Sequence, residues 1–150
     1  MVRAIVFAGL TCLFSVPAQA GLVINYTGPA QYQAAFDNAE AIWESLLPGY
    51  QNGIVTARTS GSSLNVGDTL SDLLISAVIE PIDGPGLVLG SAGPDELIRD
   101  QLGFILATDG SMRFDVADVA DLVTNGVFES VILHEMAGSI LTSGPLKGPI

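Results

Sequence analysis

The chain has 150 residues, of which 49% are hydrophobic and 14% charged, a balance that favours an ordered, core-forming domain over a disordered one. Sixteen acidic residues against five basic ones give a net charge of −11, which repels phosphate backbones and argues against a nucleic-acid partner.

Residues 1–20 read as a secretory signal. Met1-Val2-Arg3 supplies a positive charge, Ala4 to Val16 is apolar apart from Thr11 and Ser15, and Pro17-Ala18-Gln19-Ala20 ends in an A-x-A pattern. The run is shorter than the roughly 20 apolar residues that a spanning helix needs, so no integral membrane segment is expected after cleavage. Cleavage after Ala20 leaves 21–150 as a single domain, secreted or periplasmic. It also removes Cys12, the only cysteine, so neither a disulfide nor sulfur ligation of a metal is expected.

Leu22 to Tyr26 is a β-rich run ended by Thr27-Gly28-Pro29. Asn25-Tyr26-Thr27 matches a glycosylation sequon, a short and common pattern read as chance. Tyr32, Phe36, Ala39, Trp43, Leu46 and Leu47 recur mostly at three- and four-residue steps, which predicts an amphipathic helix with Thr27 at its entry, Trp43 as a core anchor and Pro48-Gly49 as its stop. Gly53 to Arg58 reads as a strand, Thr59 to Gly67 as a polar loop, and Leu70 to Glu80 as a helical turn leading into a strand. Pro81 to Gly86 and Gly90 to Asp95 read as turns within a long irregular section, because glycine and proline dominate them. These glycines are not followed by Gly-Lys-Ser/Thr and do not form a phosphate loop. Asp109-Gly110 reads as a turn and Ser111 to Asp115 as an edge strand. Ala117 to Val123 reads as a short helix closed by Asn125-Gly126, and Phe128 to about Leu141 as a last helix ended by Gly144-Pro145. The succession of strands and helices predicts an α+β domain.

His134-Glu135 on the last helix is the candidate for chemistry, and His134 is the only histidine. In an H-E-x-x-H helix two histidines four residues apart share one face and grip a zinc ion, and the glutamate beside the first serves the metal-bound water as general base. Here position 138 is glycine. Asp115, Asp118 and Asp121 are spaced by three; calcium is conceivable there, but no calcium-loop pattern surrounds them, and helix capping with solvation is the preferred role. Ser130, Ser139 and Ser143 lack a Gly-x-Ser-x-Gly elbow, so a serine hydrolase is not indicated.

Glu129 to Met136 resembles the active-site helix entry of secreted bacterial metallopeptidases of the leishmanolysin-like, metzincin-related kind. Gly110 to Asp115 with Ala117-Asp118-Val119 is similar to the edge-strand segment of that family. So are the loop Ile82 to Gly86 with Leu89 to Pro94, and the opening Ile24 to Gly28 leading into Gln31, Gln33, Phe36, Ala39 and Trp43. The resemblance implies a zincin-like amino-terminal subdomain with a small mixed sheet, a backing helix and an active-site helix. It further implies zinc as cofactor, His134 as a metal ligand, Glu135 as the catalytic base, and a peptide or protein substrate. The family continues as His-Glu-Met-Gly-His or His-Glu-Met-Ala-His, with a third ligand further on. This chain reads Met136-Ala137-Gly138-Ser139, so either Gly138 or, with one extra residue, Ser139 stands where the second histidine belongs. The expectation is a truncated or degenerate zinc metallopeptidase-like protein, inactive as written and without tightly bound zinc. The rival is a non-catalytic secreted binding domain.

Overall fold

The computed structural model describes residues 21–47, 53–70 and 72–140. The signal segment and the two helix stops at Pro48-Gly49 and Gly144-Pro145 lie outside the described residues. Among the described residues no helix is long and apolar enough to cross a membrane.

The α+β architecture is present as one five-stranded mixed sheet with three helices. Strand β1 (Gly21–Thr27) leads through a short 3-10 turn (Ala30–Tyr32) into helix α1 (Gln33–Leu46). Strands β2 (Val55–Arg58), β3 (Asp72–Glu80), β4 (Gly90–Asp100) and β5 (Ile105–Asp115) follow, then helices α2 (Val116–Thr124) and α3 (Phe128–Ile140). The strand order is β1-β3-β5-β4-β2. β1, β3 and β5 are mutually parallel, whereas β4 is antiparallel to β5 and to β2.

Alternation along the strands decides which face is buried. Leu22 and Ile24 of β1, Leu73, Ile75 and Ala77 of β3, and Met112 and Phe114 of β5 share the face packed by α1 and α3. The helices return Phe36 and Ala39 from α1 and Phe128, Ile132 and Met136 from α3. Phe36, Phe114 and Phe128 meet edge to face with centroids 5.6–5.8 Å apart, and Tyr26 stacks on Phe36 at 4.2 Å. These are the offset and T-shaped geometries that aromatic quadrupoles favour. Trp43 packs against this core half-buried, as its place on the stripe predicts, but Leu46 is 65% exposed. A second, smaller cluster of Val55, Leu70 and Ile98, with Leu64 and Leu106 against it, fixes the 59–70 loop at the β2 end of the sheet.

Five readings need correction. Thr27 does not cap a helix: it ends β1, and the 3-10 turn begins after Pro29 without a side-chain cap. The first half of the 70–80 segment is strand from Asp72, not a helical turn. Gly90 to Asp95 is not a turn but the first half of β4, and Asp109-Gly110 lies inside β5. β5 is not an edge strand, since it pairs with β3 on one side and β4 on the other. Glycine and proline are poor strand formers, yet at Gly110 the missing side chain serves the packing. A Cβ on Gly110 would lie 3.1 Å from the Ser139 Cβ, so the absence of a side chain lets α3 press against β5.

Candidate functional site

Helix α3 runs beneath β4 and carries both residues of the His-Glu pair. Phe128, Ile132, Met136 and Ser139 form its buried side, separated by three and four residues. His134 stands two steps from both Ile132 and Met136, about 200° around the helix, and is exposed. Glu135 is half-buried and turns toward β4: a Cβ on Gly90 would meet its Cγ at 3.0 Å and its Cδ at 3.2 Å. The structure therefore keeps the two neighbours on one helix but places only Glu135 against the sheet.

The helix also fixes which residue shares the His134 face. α3 is regular α-helix from Phe128 to Ile140. Ser139 is fully buried and its hydroxyl donates to the Ser111 carbonyl oxygen at 3.4 Å, so it faces the sheet. Gly138 is exposed, lies four residues from His134, and sits 3.5 Å (at its would-be Cβ) from the Ala92 carbonyl oxygen. Gly138 is therefore the position that shares the His134 face. Ser130, Val131 and Ala137, the other residues near that face, add no imidazole or carboxylate. Among the described residues no three His, Cys, Asp or Glu side chains are grouped to hold a metal. A catalytic zinc needs three protein ligands, a set that the described residues do not bring together.

The three aspartates divide. Asp115 is the N-cap of α2 and is 1% exposed. One of its carboxylate oxygens accepts from the Ala117 amide at 2.9 Å; the other accepts from the amides of Asp83 and Gly84 at 2.9 and 2.8 Å. The Ala117 and Asp83 amides, opposed by burial and joined by those of Gly84 and Ile82, lower its pKa from 3.8 to about 2. Asp118 accepts from the Gly86 amide at 2.8 Å. Both carboxylates thus anchor the 82–86 loop, and capping is the role of Asp115. Asp121 is exposed.

The edge beside α3 was not evident in the sequence. β2 pairs with β4 only at Ile98 to Asp100, leaving Gly90 to Pro94 without a described neighbour on that side. The Asp115 amide donates to the Leu89 carbonyl at 3.1 Å, which makes Leu89–Asp115 a hydrogen-bonded pair. Antiparallel pairs alternate, so Ser91 and Gly93 turn their main-chain groups to β5, while Gly90 and Ala92 present N–H and C=O outward and Pro94 presents C=O. The sequence does hold a hairpin signal: Leu97-Ile98 and Phe104 to Ala107 flank Gln101-Leu102-Gly103. In the fold, Asp100 accepts from the Leu102 and Phe104 amides at 2.9 and 2.8 Å, and Gly103 adopts φ +87 at the tip.

Carboxylates gather at the Pro94 end of this edge. Glu96 sits at the β4 irregularity, 8% exposed, and accepts from the Ser62 hydroxyl and the Ser63 amide. Burial raises its pKa, but hydrogen bonds, led by those from Ser62 and Ser63, outweigh that and the net shift is downward. Asp109 is raised, first by burial and, against the Gly110 amide, by the neighbouring charges of Asp95 and Glu96. Asp95 is exposed and accepts from the Ser111 hydroxyl at 3.1 Å, which places it on the face of the sheet away from the helices.

No family model, curated protein or solved structure matches this chain.

Proposed function

We propose that the chain is a degenerate, exported zinc-metallopeptidase-like domain that binds extended peptides without cleaving them. The observation that carries this reading is the unpaired half of β4. Gly90, Ala92 and Pro94 offer two N–H and three C=O groups to an incoming strand, directly above the helix bearing His134 and Glu135. Strand addition of this kind draws its affinity from main-chain hydrogen bonds and tolerates varied side chains. The resemblance of the His134-Glu135 helix to a metallopeptidase active-site helix supports the ancestry. The single imidazole, with glycine at 138, supports the loss of metal and hydrolysis. Both readings of the sequence, lapsed peptidase and binding domain, meet in this one site, and secretion or export to the periplasm follows from the signal-like residues 1–20.

The test uses the purified chain incubated with zinc and an extended peptide. We expect no zinc retained after dialysis, an intact peptide by mass spectrometry, and slowed hydrogen exchange at the Gly90 and Ala92 amides. One retained zinc per chain together with cleaved peptide overturns the loss of activity. Unchanged exchange at both amides, with no peptide bound, overturns strand docking.

A further inference from the structure

We infer that the β4 edge selects cationic peptides, with two basic side chains about five residues apart on opposite faces of the docked strand; this rests on the strand-docking reading above. Carboxylates outnumber cations around the edge. At the Gly90 end, Glu135 lies against the helix face of the sheet. At the Pro94 end, Asp95 lies on the opposite face, held there by the Ser111 hydroxyl, with Asp109 and Glu96 behind it. Of the three described arginines, Arg58 donates to the Ser62 carbonyl and Arg99 to the Gly103 carbonyl, while Arg113, opposite Ser91 on the Asp95 face of the sheet, pairs with Glu80 at 3.7 Å.

The spacing follows from strand geometry. Residues rise about 3.3 Å each along a strand, so Gly90 and Asp95 are about 17 Å apart; Gly90 faces Glu135, whereas Asp95, inside the irregularity between Pro94 and Glu96, is held on the other face by Ser111. A peptide residue opposite Gly90 emerges beside Glu135. The residue five positions along emerges beside Asp95, on the other face. With hydrolysis lost, Glu135 becomes an anionic anchor for the peptide rather than a base. An acidic chain also accelerates encounter with a cationic partner.

The experiment measures fluorescence anisotropy of three labelled peptides, Lys-Thr-Val-Thr-Val-Lys and the same sequence with both lysines replaced by threonine or by glutamate. At low salt we expect the dilysine peptide to bind about tenfold more tightly than the threonine peptide, the glutamate peptide to be weakest, and ~1 M NaCl to remove the preference. Glu135→Gln and Asp95→Asn are each expected to reduce the preference about threefold, with little effect on the threonine peptide. Equal binding of the three peptides, with the Gly90 and Ala92 amides protected, overturns charge selection and leaves strand docking intact. Binding of none of them overturns both. The peptide series and its salt dependence use the native chain, so the answer does not depend on either variant folding.

Discussion

Two glycines that look alike in the sequence face opposite constraints. Gly110 is buried in β5, where a Cβ would lie 3.1 Å from the Ser139 Cβ and 3.2 Å from the Gly93 carbonyl oxygen, one contact in each neighbouring element. Neither is the free end of a flexible side chain, so Gly110→Ala must push α3 or β4 away. A cost of about 1–3 kcal/mol is expected, as for other overpacked sites. Gly138 lies in α3 and is exposed, with its nearest neighbour at 3.5 Å, an ordinary contact. Gly138→Ala restricts the unfolded chain without crowding the folded one, and a gain of about 0.5–1 kcal/mol is expected. Denaturant unfolding of the two variants checks both signs at once; a stabilised Gly110→Ala would mean that α3 does not rest on β5 as closely as described. The same comparison explains why His134-Glu135 could not be judged from its neighbours in sequence. The regular helix assigns Gly138 to the His134 face and buries Ser139, a distinction that depends on helical phase and not on residue type.

At the level of elements, the 82–86 loop and α2 form a unit joined through carboxylates. Asp115 collects amides from Ala117, Asp83 and Gly84, and Asp118 collects that of Gly86. The amides favour the ionised form of Asp115, so its pKa falls from 3.8 to about 2 on folding. A depressed carboxylate contributes stability above its unfolded pKa, and that contribution is lost as the pH falls from 3.8 through about 2. Thermal melts between those limits should show the native chain losing stability that Asp115→Asn never had, and the Asp83 and Gly84 amides of the variant should exchange faster at neutral pH. A variant with the native pH profile would remove Asp115 from the role of anchor. The capping role was legible, because aspartate opening a helix has few better uses. β1, α1, α2 and α3 were legible too, from apolar periodicity at Leu22 to Tyr26, Phe36 to Trp43, Ala117 to Val123 and Phe128 to Met136. β4 was not. Gly90, Gly93 and Pro94 carry the local signal of a turn, and only pairing with β5 on one side and the closeness of α3 beneath give those residues a reason to be extended. Asp109-Gly110 misled in the same way. Local propensity names a turn there, while two flanking strands and the contact with Ser139 impose β5. The docking edge was illegible for the same cause, since it consists of main-chain groups and appears only once the sheet order is known.

The whole molecule treats its strand edges differently, and the contrast supports a functional reading of β4. An unpaired edge invites association with another chain unless it is short, charged or covered. β2 is only four residues long. β1 is closed by α1, whose Glu40 accepts from the Ile24 amide at 2.7 Å and whose Glu44 accepts from the Leu22 amide at 3.4 Å, so that two outward N–H groups are met by carboxylates of the covering helix. α3 packs against Gly90 to Pro94, with Gly138 beside the Ala92 carbonyl oxygen, but among the described residues no carboxylate accepts from the outward Gly90 and Ala92 amides. If the β1 carboxylates serve as the guard, removing them should convert a closed edge into an open one. Glu40→Ala with Glu44→Ala is expected to cost about 1–3 kcal/mol, because a buried main-chain donor loses a charged acceptor. The variant is also expected to self-associate more than the native chain in sedimentation velocity, with faster exchange at the Leu22 and Ile24 amides. An added Ala92→Pro should leave that new association in place, since it removes an outward donor from β4 and touches nothing at β1. Association that disappears with Ala92→Pro would instead assign it to the β4 edge, and would mean that the two glutamates hold α1 to β1 without guarding the strand.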